Sequence, residues 1–121
     1  MSELRCECRR LSDTIACVRW SGPLDWKGCE QVDRQLKELF AGGVNRLAID
    51  MSGVGQMSSV AFGLLVFALD ATARGGGALV IAAVPASIMG VMRVLGLHQV
   101  FAFAATIEEA EGILQSTTGS A

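Results

Sequence analysis

Apolar and polar positions change period along the chain, and each change predicts an element. In "ELRCECR" they alternate: Glu3, Arg5, Glu7 and Arg9 point one way, Leu4, Cys6 and Cys8 the other. That period of two predicts a half-buried strand over about 3–10. "LSDT" turns the chain at Ser12-Asp13, and "TIACVRW" predicts a second strand over about 14–20, so the chain opens with a hairpin. Gly22-Pro23 is expected to end that strand, because proline has no amide to give a ladder. The period then becomes helical. Cys29, Val32, Leu36, Leu39 and Phe40 share one face over about 26–41, with Glu30, Asp33, Arg34, Lys37 and Glu38 on the other. Asp25 is the candidate N-cap and Gly42-Gly43 the stop.

"VNRLAID" reads as a short central strand ending at Asp50, followed by a loop, "MSGVGQM", with at most a short extended piece. A second helix is predicted over about 59–73, stopped by Gly75-Gly76-Gly77. "ALVIAAV" is a buried strand. Pro85 opens a third helix with Ile88, Val91, Met92 and Leu95 on one face, and Gly96 closes it. "QVFAF" is a last short strand. Thr106 with Glu109 forms a capping box for a fourth helix reaching about Leu114. The tail 116–121 is expected to fray beyond an ordered core of about 3–115. The order β-β-α-β-α-β-α-β-α predicts a single-domain α/β fold over the 121 residues. Its central sheet is mixed, an N-terminal hairpin followed by parallel strands with right-handed crossovers, and carries about four helices.

Composition narrows the function. The chain is 51% hydrophobic with a net charge of −2, which argues against a nucleic-acid partner. "MSELRCECRR" has no apolar signal region, and the longest uncharged apolar stretch, Val60 to Leu69, is too short to span a bilayer. The expectation is a cytoplasmic protein with no direct membrane insertion. Cys6, Cys8, Cys17 and Cys29 with one histidine, His98, lack the paired spacing of a zinc site, so no metal is expected. Disulfides are not expected in a reducing cytoplasm. No catalytic constellation assembles either. His98 sits in a turn without a nearby acid, and Gly53-Val54-Gly55 lacks the third glycine of a dinucleotide loop. The chain therefore reads as a non-enzyme without cofactors. Trp20 and Trp26 flank "SGPLD"; for Trp26, core anchor and exposed contact are equally open.

The chemistry that remains is a pair of hydroxyls. Ser58 and Ser59 stand at the start of the second helix, where free N–H groups and a partial positive charge lie. One serine serves as cap and the other as loop in the plainest reading. The helix behind them, though, has no clear polar face, so its outer side is expected to be small and apolar, Ala61, Gly63 and neighbours. A phosphate there would leave the fold standing and oppose docking of a partner.

Several segments, in order and at matching spacing, resemble the STAS domain of anti-sigma factor antagonists: "SGPLD" (21–25), "LAIDMSGVGQMSS" (47–59), "GGGALVIAAV" (75–84), "VMRVLGL" (91–97) and "TIEEA" (106–110). Asp50, Ser52, Val54, Met57, Ser59 and Gly63 match the family's pattern around its phosphorylated serine. Ser58 stands where the family usually has aspartate, Val60 where a second serine is frequent, and Ala61 where glycine is usual. The resemblance implies a STAS-like fold and partner switching. The unphosphorylated protein binds an anti-sigma factor that is itself a serine-protein kinase, phosphorylation releases it, and a serine phosphatase restores it. Carried over by position, the phosphoacceptor is Ser59, with Ser58 as the alternative. The partner surface is Ser58, Ser59, Val60, Ala61, Phe62 and Gly63, with Gly22, Pro23, Leu24, Asp25 and Trp26 as a second patch. The other reading is a non-switching STAS subunit of a larger regulatory or membrane-transport-associated complex.

Overall fold

Strands and helices follow one another in the predicted order. In the computed structural model, which describes residues 3–116, they are β1 (Arg5–Arg10), β2 (Ile15–Leu24), α1 (Trp26–Ala41), β3 (Arg46–Met57), α2 (Ser59–Arg74), β4 (Ala78–Ala82), α3 (Ala86–Val94), β5 (Ala102–Ala104) and α4 (Ile107–Ser116). One 3-10 turn, Leu97–Gln99, leads from α3 towards β5. The sheet order is β1-β2-β3-β4-β5; β1 and β2 pair antiparallel and every later pair is parallel.

Side-chain alternation divides the core between the two sheet faces. Ala16, Val18 and Trp20 of β2 meet Leu36 of α1, Leu65 of α2 and Met92 of α3 on one face. Ile15 and Cys17 meet Ala110 and Leu114 of α4 on the other. The larger side chains lie under the three helices, and burying each such aliphatic group contributes about 1.5–3 kcal/mol. Arg9 and the Cys17 thiol both engage the Glu111 carboxylate, tying α4 to the hairpin. Burial pushes the thiols of Cys6 and Cys17 up from their ordinary value, which keeps them protonated at neutral pH. No described helix is long and apolar enough to cross a membrane.

The differences from expectation have local causes. Cys8 is exposed and Cys6 half-buried, whereas Leu4 is buried beside Gly28 of α1; the outer part of an edge strand lies beyond that cover. Strand β2 does not stop at Gly22-Pro23. Pairing with β1 ends at Ser21, so Pro23 lies where β2 is one-sided and a missing amide breaks no ladder bond to β1. Register shifts flank this stretch, and Gly22 takes φ +107°, which a side chain would strain. The expected loop 51–57 is strand as well: Gly22 pairs with Val54, Pro23 with Gln56 and Leu24 with Met57. In α3, Ile88 and Met92 are buried but Val91 and Leu95 face outward, because a nine-residue helix seats only one narrow row. The 3-10 turn consumes Gln99, so β5 begins only at Ala102. At α4 the Glu109 N–H donates to Thr106 Oγ1 (3.1 Å), while the Glu109 carboxylate accepts from the Ala105 N–H, one residue earlier than a capping box requires. Ser116, expected in the frayed tail, ends α4. The rest of that tail lies outside the described residues.

Candidate functional site

Two adjacent strands end together and each feeds a helix. Leu24 at the end of β2 pairs with Met57 at the end of β3, and α1 and α2 start two residues beyond each. Two helix N-termini therefore open side by side at the carboxyl ends of two parallel strands. The two predicted patches, 22–26 and 58–63, thus form one surface. The Leu24 carbonyl joins them, accepting from the Ser58 N–H (3.0 Å).

The two starts are finished differently. At α1, Asp25 Oδ1 accepts from the Gly28 N–H (2.9 Å), as its position predicted. At α2, Ser58 has the extended backbone of an N-cap (φ −79°, ψ 165°), yet its side chain makes no capping bond. Its Oγ lies instead 3.5 Å from the Sγ of buried Cys29, and that thiol donates to the Leu24 carbonyl at 3.8 Å. Ser58 is half-buried. Ser59, the first residue of α2, is exposed. The first turn of α2 holds no acidic side chain, so its positive end is uncompensated.

The predicted contact residues separate by exposure. Ser59, Val60, Gly63, Asp25 and Trp26 are exposed, and Ser58, Gly22 and Pro23 half-buried. Leu24, Ala61 and Phe62 are core residues, at 0%, 2% and 8% exposure, and are not available to a partner. The helical phase explains the error. The buried row of α2 is Ala61, Phe62, Leu65, Ala68 and Thr72, which turns Val60, Gly63, Val66 and Phe67 outward. The outer side is apolar, as predicted, but built from larger groups than Ala61. Val66 and Phe67 are additions that a uniformly apolar run could not single out. Trp26, at 73% exposure, lies on the surface rather than in the core, while Trp20 is buried and donates its indole N–H to Gln35 Oε1 (2.8 Å).

Beside Trp26 a groove of about 470 Å³ opens between Glu3, Leu4, Lys27, Glu30 and Arg34. Asp50 is buried within β3, where Oδ1 accepts from the Ser52 N–H (2.9 Å) and Arg19 lies at 4.0 Å. It pins the strand rather than facing the helix starts. Among the described residues no group of three His, Cys, Asp or Glu comes together in a way that could hold a metal.

Gly28 fixes the spacing of this surface. A Cβ there would come within 2.6 Å of the Pro23 carbonyl oxygen, so α1 is seated directly on the end of β2. Glycine to alanine inside a helix normally stabilises by about 0.5–1 kcal/mol. Here the sign reverses: Gly28→Ala is expected to lower the thermal midpoint by several degrees in a calorimetric scan.

The sequence matches the STAS domain family over residues 9–110. The chain belongs to that family. Among solved structures, an anti-sigma factor antagonist from Mycobacterium paratuberculosis superposes on this STAS domain with a TM-score of 0.82 at 18% identity, over 94% of this chain and 96% of that one. SpoIIAA in its unphosphorylated form gives a TM-score of 0.77 at 16% identity, covering 93% of this chain and all (100%) of that one. The Bacillus cell fate determinant SpoIIAA in its phosphorylated form gives 0.73 at 16% identity, over 90% and 99%. The fold expected from the sequence, a mixed-sheet STAS fold, is the fold observed. No curated protein matches the sequence.

Proposed function

We propose that this STAS domain is an anti-sigma factor antagonist that works by partner switching in the cytoplasm, as a binding module rather than an enzyme. Unphosphorylated, it docks through the start of α2 onto an anti-sigma factor that is also a serine-protein kinase. A phosphate on Ser59 ends the complex, and a serine phosphatase restores it. The observation that carries this reading is the placement of Ser59: an exposed hydroxyl on the first residue of a helix, followed by an outward apolar row. Ser58, the alternative acceptor, is half-buried against Cys29. That SpoIIAA, of the same fold, has been solved both without and with phosphate supports a modification that leaves the domain folded.

The test is capture from the native cell's lysate with wild type, Ser59→Ala and Ser59→Asp as baits, and identification of the captured proteins by mass spectrometry. Wild type and Ser59→Ala are expected to retain a kinase-type protein that Ser59→Asp loses. If all three hold one and the same assembly, the domain is a non-switching subunit of a larger complex. The exposed Val60, in place of a family serine, favours that second reading.

Gly63 probes the docking face separately from the charge. A Cβ at Gly63 meets nothing within 4 Å, so Gly63→Ala gains helix propensity, about 0.5–1 kcal/mol, without a clash inside the domain. It is expected to raise the thermal midpoint by a few degrees and still reduce capture of the partner, because it thickens the face that docks. Unchanged capture would move the interface off this row.

A further inference from the structure

The α2 start carries an anomaly that partner switching by itself does not require. α1 and α4 are each capped by a side-chain oxygen, from Asp25 and Thr106. Ser58 has the residue type and backbone of a cap and does not cap. The contact that takes its hydroxyl away belongs to Cys29, a residue 4% exposed and held from the other side by the Leu24 carbonyl. That same carbonyl accepts the Ser58 N–H, so thiol, carbonyl and serine form one knot between the two helix starts. The first amides of a helix have no side-chain partner unless a cap supplies one, and here the Ser58 side chain supplies none; its backbone carbonyl meets only the Ala61 N–H (3.1 Å).

We propose that Cys29 is a positioning residue of the switch: by engaging Ser58 Oγ it keeps the amino end of α2 uncapped, so that its free amides are open to a phosphate on Ser59. This rests on reading Ser59 as the phosphoacceptor, and it adds a residue with no direct contact to the phosphate. Without the thiol, Ser58 Oγ is free to rotate onto its own helix and occupy those amides, as serine does at most N-caps. The phosphate then meets a filled site.

The second ionisation of the phosphate reports this directly. A phosphoserine ordinarily loses its second proton near pH 6. Open amides and the positive helix end favour the dianion and lower that value, by about half a pH unit for an interaction of dipole strength. The experiment is a phosphorus NMR titration of the full chain carrying phosphoserine genetically incorporated at position 59, with circular dichroism confirming the fold of each variant. Wild type is expected to titrate about half a pH unit below the ordinary value and Cys29→Ala to return to it. Cys29→Ala combined with Ser58→Ala should titrate low again, since no hydroxyl remains to fill the amides. Cys29→Ser, which keeps a hydrogen-bonding group in place, should behave as wild type, and it serves where Cys29→Ala folds poorly. An ordinary value in wild type, no change in Cys29→Ala, or no recovery in the double variant would each overturn the proposal. The lysate capture decides the switch and the titration decides the role of Cys29, so the two readings fail separately.

Discussion

Ser59→Asp is expected to weaken binding of the captured partner by about a thousandfold while the domain stays as stable as wild type. The two effects come from one charge in two surroundings. In the free domain the carboxylate sits at an uncompensated helix N-terminus, on an exposed residue, and stabilises α2 by about 0.3–1 kcal/mol. In the complex it must be desolvated against the partner beside Val60 and Gly63, two groups that offer it no cation. An uncompensated buried charge costs several kcal/mol, and about 4 kcal/mol is a thousandfold in Kd. Calorimetric titration of the purified partner into wild type, Ser59→Ala and Ser59→Asp measures the first effect, and thermal melts of the same variants measure the second. Ser58→Asp supplies the contrast. Its carboxylate would replace a hydroxyl packed against Cys29, so it is expected to lower the melting point as well as binding. Ser59→Asp protein that binds as wild type while melting normally would remove the switch from this serine.

What was legible in the sequence follows from what is local. Helix α1 could be bounded at both ends because its apolar period, its cap Asp25 and its stop Gly42 all lie within the segment itself. The alternation that assigned Leu4 to the core failed four residues later at Cys8, since burial there depends on how far α1 reaches across the sheet. Gly53 and Gly55 looked like loop residues, yet they belong to a strand. Gly53 lacks a side chain because a Cβ would come within 2.7 Å of Ser21 Oγ on β2, a neighbour 32 positions away in the chain. The two serines are legible as a pair, with Ser59 ahead of Ser58 as acceptor, but the turning of the Ser58 hydroxyl away from its own helix is not. What separates them is a contact with Cys29, again on a distant element. The phase of α2 was illegible for another reason: where nearly every position from Val60 to Leu69 is apolar, the sequence carries no moment to say which side turns inward. Ala61 therefore reads as an outer residue in the sequence although it is buried, and nothing there marks Val66 as exposed.

Trp20→Ala is expected to produce the largest loss of stability of any change argued here, and to do so through the same helix that forms half of the site. Trp20 is 1% exposed within the core under the three helices, and its indole N–H donates to Gln35 on α1. Truncating a buried tryptophan costs about 3–5 kcal/mol through lost transfer energy and the cavity left behind. Gln35 would lose its donor as well. Against a total stability of about 5–15 kcal/mol for a domain, the thermal midpoint should fall by more than about ten degrees. Circular dichroism is the suitable probe, because the second tryptophan is the exposed Trp26. Trp20→Phe loses the hydrogen bond but keeps most of the apolar volume, so its midpoint should lie between those of wild type and Trp20→Ala. Trp26→Ala, removed from a side chain that is 73% exposed, should leave the midpoint within about a degree or two of wild type. It should nevertheless reduce partner capture, since Trp26 flanks the shared surface of the two helix starts. Two tryptophans six positions apart thus divide the work: one seats α1 on the sheet, and the other stands where that seating places it. A Trp20→Ala protein that kept its melting point would mean that α1 is held without its central anchor, and that the geometry of the paired helix starts rests on Gly28 and the knot at Leu24 instead.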